Sequence, residues 1–168
     1  MNRTEIRNPV LEDTKQIIKL VRDSGKLDVN SAFYYALWIK EWSDTCAVAV
    51  SNGRIVGVLT GFIRPTNPTV YFSWQACISH DTSENDLGFR LYKYVLDPLM
   101  IRGVTYLEMT VDGTNRFVRL MLAKMAHHYG SEVEDGGILF STQLLGTDNY
   151  SEELRRIRVA RGVISSRS

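Results

Sequence analysis

Glu108 stands inside Leu107-Glu108-Met109-Thr110-Val111, a run that otherwise reads as an apolar strand. A charge there needs a partner, because burying it alone is costly. Two kinds fit: one of the chain's arginines in a structural pair, or an amine or activated water that would pass its proton to the carboxylate. Asp28 supplies a second carboxylate, in the polar turn Asp23-Ser24-Gly25-Lys26-Leu27-Asp28-Val29-Asn30-Ser31. It could cap the helix that follows, a task equally open to Asn30 or Ser31. Trp74, in Phe72-Ser73-Trp74-Gln75, reads on its own as a core indole whose N–H needs a partner. His127 and His128 fall late in a helix, where a cation suits the dipole, and no catalysis is assigned to them. No Ser-His-Asp pattern, phosphate-binding P-loop or zinc spacing occurs. The chemistry these carboxylates offer is pairing with a cation and proton transfer.

Those residues must be positioned by the surrounding elements. Ile17, Ile18, Leu20 and Val21 run at helical spacing up to Gly25, with Asp13 and Thr14 as a start signal. Phe33, Tyr34, Leu37, Trp38 and Trp42 predict a second helix with an aromatic face. Asn52-Gly53 between Cys46 to Val50 and Ile55 to Phe62 predicts a hairpin, since both turn residues tolerate positive φ. Thr69 to Ile78 reads as the next strand, Leu87 to Met100 as a helix ending before Gly103, and Val104 to Val111 as a strand. Thr114 to Tyr129 reads as a helix closed by Gly130, and Ile138 to Leu144 as a strand. The segment 149–168, rich in arginine, is expected to be a tail or an edge strand.

In this order, the Asp23 to Ser31 turn, Asp44-Thr45-Cys46-Ala47-Val48-Ala49 and Phe72-Ser73-Trp74-Gln75 resemble the diaminobutyrate acetyltransferases of ectoine synthesis, within the GNAT acyltransferase superfamily. The resemblance runs from about Glu5 to Gly146. It implies an α/β GNAT fold, with a mixed central sheet containing a splayed strand pair and flanked by helices. It also implies an N-acyltransferase in which a neutral amine attacks a phosphopantetheine thioester directly, with no metal and no covalent enzyme intermediate. On the acceptor side it points to Asp28, Asn30, Tyr35 and Trp74 as substrate-binding, with Phe33 where a Tyr is usual. Asp28 or Glu108 would be the eventual proton acceptor, reached through water.

On the donor side the same resemblance implies that the backbone of Ala76, Cys77 and Ile78 pairs with the pantetheine arm. The next helix start would receive the diphosphate. There the family's Arg-Gly-x-Gly-Leu-Gly loop becomes Ser83-Glu84-Asn85-Asp86-Leu87-Gly88, keeping only Leu87 and Gly88. Each added carboxylate would oppose a diphosphate by roughly 1 to 4 kcal/mol. Asn115 matches the family's Asn at the next helix start and could equally be an ordinary cap. Two donors stay open: acetyl-CoA, or an acyl carrier protein whose phosphopantetheine lacks the diphosphate. A non-catalytic binding domain is the rival reading. The family's members commonly pair as homodimers, and the aromatic second helix is a plausible contact.

Composition narrows the classes further. The 168 residues, 44% hydrophobic, suit a single domain, expected to span 1–168. A formal charge of +1 with interleaved signs gives no field for nucleic acid. No apolar run approaches the roughly 20 residues that cross a bilayer, so a cytoplasmic, membrane-free protein is expected. Cys46 and Cys77 lie in apolar strand-like runs and are expected to be reduced core residues.

Overall fold

The computed structural model describes residues 4–111, 116–146 and 151–159. In chain order the elements are β1 (Glu5–Arg7), α1 (Thr14–Ser24), α2 (Ala32–Trp42), β2 (Ala47–Ser51), β3 (Arg54–Ile63), β4 (Val70–Ile78), α3 (Leu87–Ile101), β5 (Tyr106–Val111), α4 (Arg116–Tyr129), β6 (Val133–Phe140), α5 (Thr142–Leu145) and β7 (Glu152–Arg158). Among the described residues the seven strands form one mixed sheet in the order β1-β2-β3-β4-β5-β7-β6. This is the mixed central sheet flanked by helices that the resemblance implied.

Local chemistry explains the first half. Gly25, at φ 61°, closes α1 in the left-handed conformation, and the Ser31 hydroxyl accepts the Tyr34 N–H to start α2. Asn52 and Gly53, at φ 50° and 73°, make the tight turn that joins β2 to β3. The apolar side of α1 and α2 (Ile17, Leu20, Val21, Tyr35, Ile39) packs on Val48, Val58 and Cys77. The other face of the sheet is covered by α3 and α4, where Leu91, Leu96 and Leu99 meet Leu107, Leu122 and Met125.

β4 holds the centre of the arrangement. It pairs antiparallel with β3 along its length, but parallel with β5 only from Val70↔Tyr106 to Ser73↔Met109. Beyond Ser73 it leaves β5 and a fork opens. At the fork the register with β3 slips: Gly61 faces Ser73 and Thr60 faces Gln75, so Trp74 is an extra residue in a β-bulge. The Thr60 hydroxyl accepts the Gln75 N–H at 3.3 Å, fixing the bulged strand from β3.

The C-terminal third departs from expectation in two places. β6 begins at Val133 and stops at Phe140; the Leu144 end of the predicted strand is the short helix α5, started by Ser141 and closed by Gly146 at φ 66°. Gly136 and Gly137 sit inside β6 at a register shift against β7, and the expected strand began only after them, at Ile138. The arginine-rich segment does not form an edge strand: β7 lies between β5 and β6, with Ile157 fully buried. One of its arginines, Arg156, bonds a carboxylate inside the sheet.

Candidate active site

The turn that carries Asp28 is fastened to the bulge. Tyr35, 1% exposed, donates its O–H to Gln75 Oε1 at 3.1 Å and accepts the Asn30 N–H at 3.4 Å. Gln75 Nε2 donates to the main-chain oxygen of Asp28 at 2.9 Å. Because Ser31 caps α2, the exposed Asp28 carboxylate is free of that duty. Tyr35 lies beneath the turn, its hydroxyl already engaged, and Asn30 takes part through its backbone. Phe33 projects outward at the start of α2.

Trp74 is not a core residue: it is 48% exposed. Its ring centroid lies 6.0 Å from Tyr34 and 5.6 Å from Trp38, and Trp38 in turn meets Phe62 at 5.8 Å. This aromatic wall stands beside the Asp28 turn, suited to an alkyl chain carrying an ammonium.

Of the two roles open to Glu108, pairing with arginines is what the side chain does. It is 2% exposed; Oε1 accepts Arg156 Nε at 2.7 Å and is also bonded by the second guanidinium nitrogen, while Oε2 forms an ion pair with Arg64 Nε at 2.7 Å. Both oxygens are engaged before any substrate arrives. The guanidinium of Arg64 also lies over the Phe72 ring, 4.8 Å from its centroid.

On the opposite face of β4, Ala76 and Ile78 line an apolar cleft with Gly88, Tyr92, Phe117 and Met121. Cys77, one residue out of phase, points to the α1 side, where its thiol reaches Leu20 O at 3.8 Å. It can therefore serve a donor through its backbone alone. At the fork the Tyr92 hydroxyl and Ser73 Oγ are 2.9 Å apart; burial pushes the Tyr92 phenol up to about 12, against the pull of the Ser73 bond. Leu87 is fully buried, and a Cβ on Gly88 would stand 2.7 Å from the Met121 methyl, so both retained loop residues have packing reasons to be there. Asn115 lies outside the described residues.

The altered loop is less hostile to an anion than its composition suggests. Glu84 turns inward: Oε1 accepts the N–H of Thr4 at 3.1 Å and its hydroxyl, and Oε2 pairs with Arg90, which also donates to Thr4 O at 2.7 Å. The Thr4 hydroxyl, together with Arg90, holds the Glu84 carboxyl below the usual range. Only Asp86, exposed at the start of α3 with no side-chain cap bond, leaves its charge uncompensated there among the described contacts.

Sequence reasoning left Gln75, Tyr92, Phe117 and Met121 unassigned. Gln75 carried a signal: a long polar side chain in a strand of buried residues needs a partner, as Glu108 did. Tyr92, Phe117 and Met121 carried none, since at helical spacing they look like core. Among the described residues no cluster of His, Cys, Asp and Glu could hold a metal ion, and no helix is long and apolar enough to cross a membrane.

No protein-family model matches the chain. It is 33% identical to an L-2,4-diaminobutyric acid acetyltransferase of Nocardia farcinica, covering 90% of this chain and 78% of that one. The corresponding protein of Halomonas elongata is 32% identical, over 90% and 79% of the two chains. Among solved structures, the diaminobutyrate acetyltransferase of Paenibacillus lautus, in complex with L-2,4-diaminobutyric acid and coenzyme A, superposes with a TM-score of 0.84 at 26% identity, covering 94% of this chain and 96% of that one.

Proposed function

We propose, from the premise that this chain belongs to the L-2,4-diaminobutyric acid acetyltransferase family of the GNAT superfamily, that it transfers the acetyl group of acetyl-CoA to a primary amine of L-2,4-diaminobutyric acid. The observation that carries this reading is the fork in β4. The Asp28 turn and the Trp74 wall pack on its α1–α2 face, the apolar cleft opens on its α3–α4 face, and the two meet where β4 leaves β5.

In this reading the backbone of Ala76 to Ile78, which has no β5 partner, receives the pantetheine amides as an added strand would be received. The cleft then covers the thioester end, and the start of α3 faces the diphosphate. Asp28 holds an ammonium of the acceptor and, through water, takes the proton that must leave before attack. The amine then forms a C–N bond at the thioester carbonyl as the C–S bond breaks, and the further N–H proton that the nitrogen sheds is balanced by the one that the sulfur takes up, so that coenzyme A leaves as its thiol. Tyr92, protonated up to about pH 12, can donate a hydrogen bond to the departing sulfur. Glu108 sets β5 at the fork through its two arginines and is not assigned the proton.

Acetyl-CoA is preferred to a carrier-bound thioester for two reasons. The relatives are named acetyltransferases, and pairing of Glu84 with Arg90 removes much of the charge objection to a diphosphate. Nothing among the relatives supports a non-catalytic domain. Membership of all described strands in one sheet supports a single acyltransferase domain. The test is steady-state turnover of acetyl-CoA with L-2,4-diaminobutyric acid and a panel of related amines, with the acetylated nitrogen identified by NMR. No turnover with acetyl-CoA, alongside turnover with a carrier-bound acetyl group, would sink the donor assignment.

A further inference from the structure

We propose that Gln75 is a positioning residue that sets the acceptor's chain-length preference, by fixing the Asp28 turn at one distance from Trp74. The inference rests on the acetyltransferase reading above. Gln75 is 7% exposed, and both ends of its amide are used: Oε1 accepts the Tyr35 hydroxyl at 3.1 Å and Nε2 donates to Asp28 O at 2.9 Å. Along a regular strand Trp74 and Gln75 would face opposite ways, but the bulge delivers both to the α2 side. The residue that anchors the anion-bearing turn is thus adjacent in the chain to the indole that walls the cleft.

Few other bonds hold that turn. Asn30 N–H reaches Tyr35 at 3.4 Å, and Lys26 N–H reaches Ser24 Oγ at 3.3 Å, both long. A structural amide could be replaced by an apolar side chain of equal volume at modest cost, but only a group that donates and accepts together can link Tyr35 to a carbonyl oxygen. Since Asp28 is the group assigned to the acceptor's ammonium, its separation from the Trp74 wall measures the length of diamine that fits.

Gln75→Glu keeps the acceptor for Tyr35 and loses the donor to Asp28; Gln75→Leu loses both, and Tyr35→Phe breaks the far bond. We expect each Gln75 variant to raise KM for diaminobutyrate by roughly tenfold while KM for acetyl-CoA stays within about twofold. The preference for diaminobutyrate over ornithine and 2,3-diaminopropionate, one carbon longer and shorter, should shrink by a similar factor. Hydrogen exchange of amides 25–31 should quicken in the same variants, and Tyr35→Phe should show a milder form of both effects. Unchanged exchange in that segment overturns the proposal. So does quickened exchange with an unaltered amine preference, or with both KM values moving together. A wild-type chain that acetylates no diamino acid removes the functional reading instead, a result visible without any variant.

Discussion

Glu108 on β5 lies directly across from Arg156 on β7 in the antiparallel ladder, and its second oxygen reaches over β4 to Arg64 at the end of β3. One carboxylate on β5 therefore ties two other strands, β7 and the end of β3, to the point where the sheet forks. We expect Glu108→Gln to lower stability by about 2 to 4 kcal/mol, the cost of stranding one side of a buried pair, reduced because Arg156 keeps some contact with water. The surviving activity should keep the wild-type pH–rate shape. A flattened profile with full stability would restore Glu108 as the proton acceptor; thermal unfolding and a pH series read both.

Asp28→Asn and Trp74→Ala should each raise KM for the amine by roughly tenfold or more, as expected for loss of an ion pair or an apolar wall, and leave unfolding nearly unchanged. Both side chains are exposed or half-exposed, so the fold owes them little. Equal losses of stability and activity would make them structural.

The loop before α3 permits a sharper contrast. Asp86→Gly should tighten acetyl-CoA binding by roughly three- to tenfold, the low end of the Coulomb opposition from one exposed carboxylate. Glu84→Gly should give no such gain, because Arg90 already offsets that charge. Calorimetry with coenzyme A decides, and equal gains from the two changes would refute the pairing.

The Glu84 carboxyl also predicts a pH dependence. Its value is depressed in the folded protein by the Thr4 hydroxyl and by Arg90, so its stabilisation is complete above the ordinary carboxylate range. It is lost as pH falls through the depressed value. The stability difference between the wild type and Glu84→Gln should therefore be present at pH 7 and fade below about pH 4. A difference that grows on acidification would show the sign to be wrong.

Cys46 and Cys77 are free and buried, and burial pushes the Cys46 thiol up to about 11 and Cys77 above its usual value. At pH 8 neither should react with a disulfide reagent in the native protein, and both should react on unfolding. Rapid labelling of either native thiol would contradict their burial.

Most of the fold up to α3 was legible because each boundary carries a local chemical mark: Gly25 after α1, Ser31 before α2, Asn52-Gly53 between strands. The last third was not, because β6 contains two glycines and β7 four charged residues before its first buried one. Their places depend on each other and on Glu108, a relation no window of sequence contains. The site divided in the same way. Asp28 and Trp74 could be picked from their motifs, whereas the bond from Gln75 to Asp28 spans 47 positions and exists only once β4 has bulged. The inward turn of Glu84 depends on Thr4, 80 residues away.

The insertion of β7 between β5 and β6 sets an order on the chain's assembly. As the polypeptide emerges from the ribosome, β1 to β5 can find their neighbours in turn, but β6 is made before the strand it must lie against. Until 152–158 follow, β6 has no seat in the sheet and Glu108 faces a gap where Arg156 belongs. Among the described residues that closure also completes the pairing of the most buried carboxylate, so folding of this half waits for synthesis to reach β7.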